Sequence, residues 1–357
     1  VKKIFSDSFK RLNQQAWYIR LVHKEFWHSN IFFAPLAIYI AYLAARARSP
    51  FFFTAANPAI PTGGLVGESK ADINRWIPPQ YRPKNCLISA AQDWDTIQEN
   101  ITAAGISFPF ILKPVVGARG LMVQKVVHWA EVAAHLNAYP TEFLVEEFID
   151  YPIEAAVLYW KNPETGASGI QSVTLKKFLT VVGKNNASVR DLLMEQPRGI
   201  LQIPRLMREK PDLMKSIPAA GTAVVVEPIG NHCRGTTFLN YNALITPDMV
   251  AAFDKIQADL PNCYVFRLDL KTPSVSELQK GQNIRILEIN GVGADPAHIF
   301  DPQFSLWGMW HAYFRLWRTI YEVGTAAHRL GTPYMSWQAF KIYARKQKEM
   351  KRLGVEC

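Results

Sequence analysis

Asp269, Glu288 and Asn290 lie in two short apolar runs, FRLDLK (266–271) and RILEINGVGADPAHIFDP (285–302), that read as strands. Glu288 and Asn290 are two residues apart, so on a strand both point to the same sheet face. Two carboxylates and an amide oxygen on one face form an all-oxygen set suited to Mg²⁺, a hard cation that also holds substrate phosphates. Carboxylates buried in a sheet without a counter-charge are costly, and a bound cation accounts for them most simply. Arg267, two residues before Asp269, shares its face.

Three other stretches carry possible chemistry. In FPFILKPVVGARGLMVQKV (108–126) a strand ends in Lys113-Pro114, and a loop with Gly117 and Gly120 around Arg119 follows. A lysine beside a glycine loop places an ammonium and backbone N–H groups around phosphates, the alternative being a hairpin turn with incidental basic residues. In FLVEEFIDYPIEAAVLYW (143–160), Glu146, Glu147, Phe148 and Ile149 read as a hinge whose backbone groups meet an adenine edge. Glu154 follows in reach of ribose hydroxyls; solvated surface carboxylates are the alternative. In EPIGNHCRGTTFLNYN (227–242), His232, Arg234 and the hydroxyls of Thr236 and Thr237 suit either a loop that binds a carboxylate or phosphate or a satisfied polar turn. Cys233 beside His232 is no Cys–His catalytic pair, because adjacent side chains on an extended chain diverge.

The segment FFFTAANPAIPTGGLVGESK (51–70) resembles a phosphate loop only superficially. Counting from Gly63 puts Glu68 where the second glycine belongs, so a Walker motif fails. Glu68, Ser69 and Lys70 at a helix start either receive an anionic or amino group of a substrate or cap the helix.

These residues need elements to position them. Residues 51–55 read as a strand, the stretch after Gly67 as a helix, 85–90 as a strand and 93–104 as a helix, together a small α/β unit. From Pro109 strands dominate, at 110–114, 121–127, 142–148, 155–160, 171–175, 222–228, 264–270 and 284–289, with helices at 129–136 and 247–259. The class is mixed α+β.

The two ends differ from this middle. Residues 29–45 are uncharged and mostly apolar, with aromatic residues before them and Arg46 and Arg48 after. Such a run is at the lower limit of about 17 residues for a bilayer span, and Pro35 interrupts it. It reads as an interfacial or re-entrant membrane segment, or as a helix buried on the globular part. Late in the chain Trp307, Trp310, Phe314, Trp317 and Tyr321 recur at helical spacing, which suits a core face or, with Arg315, Arg318 and the basic stretch 341–352, an anionic surface.

Composition bounds the partners. The 357 residues are 49% hydrophobic, with 20 Gly and 23 Pro, which excludes disorder and a collagen-like fibre. A formal charge of +10, from 40 Lys+Arg against 30 Asp+Glu, fits nucleic acid, an anionic membrane or a polyphosphate ligand. No nucleic-acid signature accompanies it, so nucleic acid ranks last. The four cysteines are far apart, so neither a zinc knuckle nor a disulfide framework is expected, and a reducing, cytoplasmic compartment fits.

Taken in order, these motifs resemble the ATP-grasp superfamily, most of all its D-alanine–D-alanine ligase branch, over residues 109–302; the segment 51–70 is also similar to membrane-associated ATP-grasp proteins of bacteria. The resemblance implies two α+β subdomains clasping ATP (109–302), a small α/β pre-ATP-grasp domain (51–108), an apolar N-terminal helical segment (1–50) and C-terminal aromatic and basic helices (303–357). It implies that Lys113 binds nucleotide phosphates under a loop containing Gly117, Arg119 and Gly120. Glu146 and the backbone of Glu147 and Ile149 would hold adenine, and Glu154 ribose. Lys177 would be the second phosphate lysine, with Lys176 the competitor; Asp269, Glu288 and Asn290 would bind Mg²⁺, and Arg267 would stabilise a tetrahedral intermediate. Glu68, His232, Arg234, Asp295 and His298 are the substrate candidates. The loop VVGARG (115–120) lacks the family's serine-rich character, and EINGVGADPAH replaces its usual proline-glycine loop.

The expectation is therefore an ATP- and Mg²⁺-dependent carboxylate–amine ligase acting through an acylphosphate, on small-molecule or lipid-linked substrates, cytoplasmic and peripheral or monotopic at the inner membrane. A phosphotransferase, or a non-catalytic membrane-peripheral nucleotide-binding protein, is the alternative.

Overall fold

A computed structural model describes residues 12–27, 29–65, 76–115, 122–260 and 262–352. Alternating apolar residues build two separate antiparallel sheets, and the chemistry expected from the sequence is divided between them. The first sheet runs in the order β1-β4-β2-β3, from β1 (Asn85–Ser89), β2 (Phe110–Pro114), β3 (Gln124–Val126) and β4 (Glu142–Glu147). On β2 the even residues Phe110 and Leu112 are buried with Ile88, Phe143 and Val145 under the helices Trp94–Ala103 and Trp129–Ala138. The odd residues Ile111 and Lys113 therefore take the opposite face.

The second sheet runs β11-β10-β5-β6-β9, from β5 (Ile153–Lys161), β6 (Ser168–Lys177), β9 (Thr237–Asn240), β10 (Val265–Thr272) and β11 (Arg285–Asn290). Its back face buries Val157, Tyr159, Phe266, Leu268 and Ile286 with Met249, Phe253 and Leu278 of the helices Pro247–Ala258 and Val275–Lys280. Its other face carries the charged residues. Between β6 and β9 the chain makes a hairpin of β7 (Leu179–Val182) and β8 (Ala223–Glu227), and the helices Val189–Leu193, Pro197–Glu209 and Pro211–Lys215 cover it with a core of their own.

Two sequence expectations are corrected here. Residues 51–55 form no strand: Phe52–Ala56 is a 3₁₀ helix, buried on all sides against the long helix Leu306–Arg329, where Gly324 lets Phe52 O approach to within 2.4 Å of the position a Cβ would take. A continuous apolar run reads alike for a buried strand and a buried helical turn, and this one has no strand to pair with. Residues 51–108 also divide between two cores. Phe51, Phe52 and Phe53 pack with Met309, Tyr313, Trp317 and Ile320, whereas β1 pairs with β4 in the first sheet.

The apolar helix Ser29–Ala47 lies on the protein: Leu36 and Leu43 are buried, Tyr39 meets Phe314 edge-on at 5.1 Å, and Ile38 and Tyr42 face outward. Among the described residues no helix is long and apolar enough to cross a membrane. Of the late aromatic stripe, Trp317 is buried while Trp307 is 78% exposed. The helix Ala16–Val22 precedes Glu25, which is tied to the body by a buried pair with Arg198 at 2.9 Å.

Asn57, fully buried, fixes the segment after the aromatic turn to the second sheet. Its Nδ2 donates to Gly63 O (3.0 Å) and Val265 O (2.6 Å), and its Oδ1 accepts from Tyr264 N (2.8 Å) and Val265 N (2.9 Å). The turn that follows has Thr62, Gly63 and Gly64 in the left-handed region, which presents the Gly63 and Gly64 carbonyls to the N–H groups of Val292 and Gly293, each at 3.0 Å. Gly291 is required at this contact, since a Cβ there would lie 2.3 Å from Gly63 O. The chain leaving β11 is thereby held in place.

Candidate active site

Register sets the site. Ser172 (β6), Leu158 (β5), Arg267 (β10) and Asn290 (β11) face one another across the second sheet in one row. Thr174, Ala156, Asp269 and Glu288 form the next row. Beyond it Lys271 is opposite Glu154, whose side chain meets that of Lys176. All are in phase with the period of two, so they share the face away from the helical core.

The charges on this face interlock. Asp269 Oδ1 accepts from Arg267 Nε at 2.8 Å and its Oδ2 from the terminal nitrogen at 3.2 Å, and Lys176 Nζ is 3.4 Å from the same Oδ2. Lys176 also donates to Glu154 at 3.0 Å, and Arg267 donates to the Asp295 main-chain oxygen at 3.2 Å. Burial works to lower the Lys176 pKa, but Asp269 and Glu154 outweigh it and raise it above the ordinary lysine value. Burial works in the opposite sense on Asp269, where Arg267 and then Lys176 hold the carboxyl below its ordinary range. Gly230 packs directly on Glu154: a Cβ there would fall 1.9 Å from Oε1, so any side chain would displace the carboxylate.

Lys113 brings the first sheet to this site. Its Nζ donates to Glu146 Oε2 at 2.6 Å and, across to the second sheet, to Leu287 O at 3.2 Å. That carbonyl is available because the β10–β11 ladder slips one residue between Asp269 and Leu270, leaving Leu287 unpaired.

The sequence candidates fall into three groups. Lys113, Glu146, Glu154, Lys176, Arg267, Asp269, Glu288, Asn290 and the main chain of Asp295 come together. Ile149 borders them, its carbonyl accepting from Lys271 at 2.9 Å, while Glu147 carries ladder and side-chain contacts to Lys84. The other described candidates make different contacts. Lys177 is exposed on the opposite side of β6 and lines a separate cavity of about 540 Å³ with Leu179 and Thr237. Adjacent residues on a strand point oppositely, so only one of the two lysines reaches Asp269, and it is Lys176. His232 sits among Phe26, Phe238 and Phe300, its pKa pushed by burial, then by Arg198 and Lys24, to about 3, and Arg234 is bound to the buried Glu227 at 2.9 Å. His298 is buried, its Nδ1 2.8 Å from Ser172 Oγ, and the Asp295 carboxylate accepts from Tyr313 at 2.9 Å. Glu68, Gly117, Arg119 and Gly120 lie outside the described residues.

Lys271 was missed by sequence reasoning, although the alternation Arg267, Asp269, Lys271 already placed it on the face. Its Nζ lies 5.0 Å from the Phe148 ring centre and 5.7 Å from that of Phe178, and burial holds its pKa below the ordinary lysine value despite Glu154. Ser172 was missed because a serine in a strand gives no signal of its own.

Among the described residues no group of three or more His, Cys, Asp or Glu side chains is placed to hold a metal ion. The set Asp269, Glu288 and Asn290 has two carboxylates and one amide, and it fits a hard cation on other grounds. Asp269 and Glu288 are directly opposite in register. The Glu288 carboxylate makes no hydrogen bond or ion pair among the described residues, which leaves its oxygens to accept. Asp269 keeps lone pairs beyond those Arg267 and Lys176 take.

No protein-family model and no curated protein matches the sequence. Among solved structures, the chain is similar to the VanG D-Ala:D-Ser ligase of Enterococcus faecalis (11% identity, TM-score 0.42, covering 74% of this chain and 63% of that one). It is similar to a D-alanine–D-alanine ligase of Bacillus anthracis (12%, 0.43, 76% and 71%) and to a bifunctional glutathione synthetase of Pasteurella multocida (15%, 0.37, 70% and 35%). The match thus spans less than two-thirds of the VanG ligase and about a third of the glutathione synthetase.

Proposed function

We propose that the chain is an ATP-dependent ligase that joins a small-molecule carboxylate to an amine. The observation that carries this reading is the paired register of Arg267 with Asn290 and Asp269 with Glu288, with Lys176 on Asp269 and Lys113 reaching over from the other sheet. Fixed cations of this kind stabilise charge on phosphoryl and acyl oxygens without covalent participation by the protein.

In this reading Lys113 and Lys176 bind nucleotide phosphates, the main chain at Glu147–Ile149 borders adenine, and Glu154 and Glu146 orient ribose and base. Asp269, Glu288 and Asn290 would hold Mg²⁺, which supplies charge neutralisation at the phosphate oxygens when bound. A substrate carboxylate oxygen attacks the terminal phosphorus, the bond to ADP breaks, and an acylphosphate forms. The amine then adds to its carbonyl carbon, Arg267 stabilises the resulting oxyanion, and the oxyanion collapses to the amide as phosphate leaves, the nitrogen's proton passing to the departing phosphate. Lys176 takes the role expected of Lys177.

The test is ADP release with amino acids, peptides and amines as acceptors, in the wild type and in Glu288→Gln. The variant should lose at least about 100-fold in turnover with its unfolding midpoint unchanged. Turnover retained within a few-fold would remove the site assignment.

A further inference from the structure

Beside this face lies a pocket of about 430 Å³ between β6, the chain after Pro296 and the start of the helix Leu306–Arg329. Trp307, Gly308, His311, Ala312 and Arg315 line it at helical spacing and so form one stripe, with Phe304 joining them from just before the helix. This stripe differs in kind from the apolar face of the same helix, where Met309, Tyr313, Leu316 and Ile320 are buried in the core. Small residues at 308 and 312 keep the floor open, aromatic rings make one end, and a guanidinium makes the other.

The polar groups around the pocket are suited to an anion. Arg315 is exposed and has no ion pair among the described residues, and no Asp or Glu lines the pocket. Asn242 Oδ1 accepts from Val173 N at 2.8 Å, which leaves its Nδ2 as a donor without a protein partner among the described residues. His298 is fixed through Nδ1 to Ser172 Oγ, so Nε2 is the ring nitrogen left toward other partners. Burial, then Arg315, pushes the His298 pKa to about 4, so near neutral pH this ring adds no charge of its own.

We propose that this pocket binds a small-molecule carboxylate, with Arg315 as its counter-ion and Asn242 and His298 as neutral partners. A single guanidinium matches a monoanion and its fork suits the two carboxylate oxygens, whereas a phosphate dianion would call for more positive charge. The apolar rings accommodate the body of the ligand, and the volume admits an acylated amino acid or a short peptide end. The pocket also adjoins the chemistry. Ser172, which holds His298, is in the same row as Arg267, two strands away, or roughly 10 Å, with Asn290 one strand further. If the ligase reading above holds, the ligand is one of its substrates; carboxylate binding itself does not depend on that reading.

The experiment is direct binding without nucleotide, followed by ligand-observed NMR on the full chain. The probes are N-acetylglycine and N-acetylphenylalanine, each paired with its primary amide, together with inorganic phosphate. The carboxylates should bind at millimolar concentration or better and the amides at least 10-fold more weakly. Arg315→Gln should abolish the difference, and Arg318→Gln, a neighbouring exposed arginine outside the pocket, should preserve it. Equal binding of acids and amides, an unchanged preference in Arg315→Gln, tighter binding of phosphate than of either carboxylate, or no binding by any probe would each overturn the proposal. None of these outcomes depends on ATP turnover, so loss of the pocket and loss of the ligase reading are separable.

Discussion

Replacing Asp269 by Asn isolates the charge at the centre of the site. The change keeps the volume and removes the negative charge between Arg267, bonded at 2.8 and 3.2 Å, and Lys176, 3.4 Å away. Removing one partner of a buried ion pair costs about 3–5 kcal/mol, because the remaining charge stays desolvated. Lys176 keeps Glu154 at 3.0 Å and Arg267 keeps only the Asp295 carbonyl, so the lower end, about 3 kcal/mol, applies. In thermal unfolding of a chain of 357 residues this is a fall of roughly 4 °C. Adding Lys176→Met removes one of the stranded cations, so the double variant should recover about 1–3 kcal/mol relative to additivity. The sign with pH follows from the depressed carboxyl. The stabilisation is complete above the unfolded value near 3.8 and is lost as pH falls through the lower folded value, so wild type and variant converge only in acid. A variant within about 0.5 kcal/mol of wild type at pH 7 would refute the view that Asp269 neutralises both cations.

Two further outcomes are expected. Lys176→Ala should lower ATP turnover by about 100-fold or more, as loss of a preorganised cation does, while Lys177→Ala, on the opposite face, stays within about 2-fold; steady-state ADP release decides, and the reverse ranking would exchange the two residues. His232 stays neutral when folded, with its pKa near 3 against an ordinary value of 6.5. As pH falls below 6.5 the unfolded chain takes up a proton that the folded chain refuses, so stability declines by about 1.4 kcal/mol per pH unit from this residue. His232→Phe should remove that decline and gain about 2 kcal/mol on the wild type between pH 6.5 and 5, read from urea unfolding; parallel pH curves would contradict it.

The parts of the site legible in the sequence are those fixed by parity alone. Asp269 with Arg267, and Glu288 with Asn290, needed only the period of two within a strand, and the register across strands then brought the pairs together. Parity does not say which phase of a lysine pair faces inward, and for Lys176 and Lys177 that was decided by Glu154 on the neighbouring strand. Of the pair Leu179–Val182 and Ala223–Glu227 the second was legible as a strand at 222–228, whereas the first escaped because it is only four residues long and is joined to its partner through helices whose apolar residues serve a local core. The aromatic surroundings of His232 come from Phe26, Phe238 and Phe300, far apart in the chain, so no local pattern announced a buried neutral ring in place of an exposed substrate group.

Three of the cations at this site are each anchored to a main-chain carbonyl: Lys113 to Leu287 O, Arg267 to Asp295 O and Lys271 to Ile149 O. Every residue supplies a carbonyl, whatever its side chain, so no point substitution deletes these acceptors. A saturation scan of the chain would accordingly be lopsided, steep at positions 113, 267 and 271 and shallow at 287 so far as this contact is concerned. What position 287 contributes is the slipped ladder that presents its oxygen, and only an insertion or deletion in β10 or β11, not an exchange of one amino acid for another, would take that oxygen away.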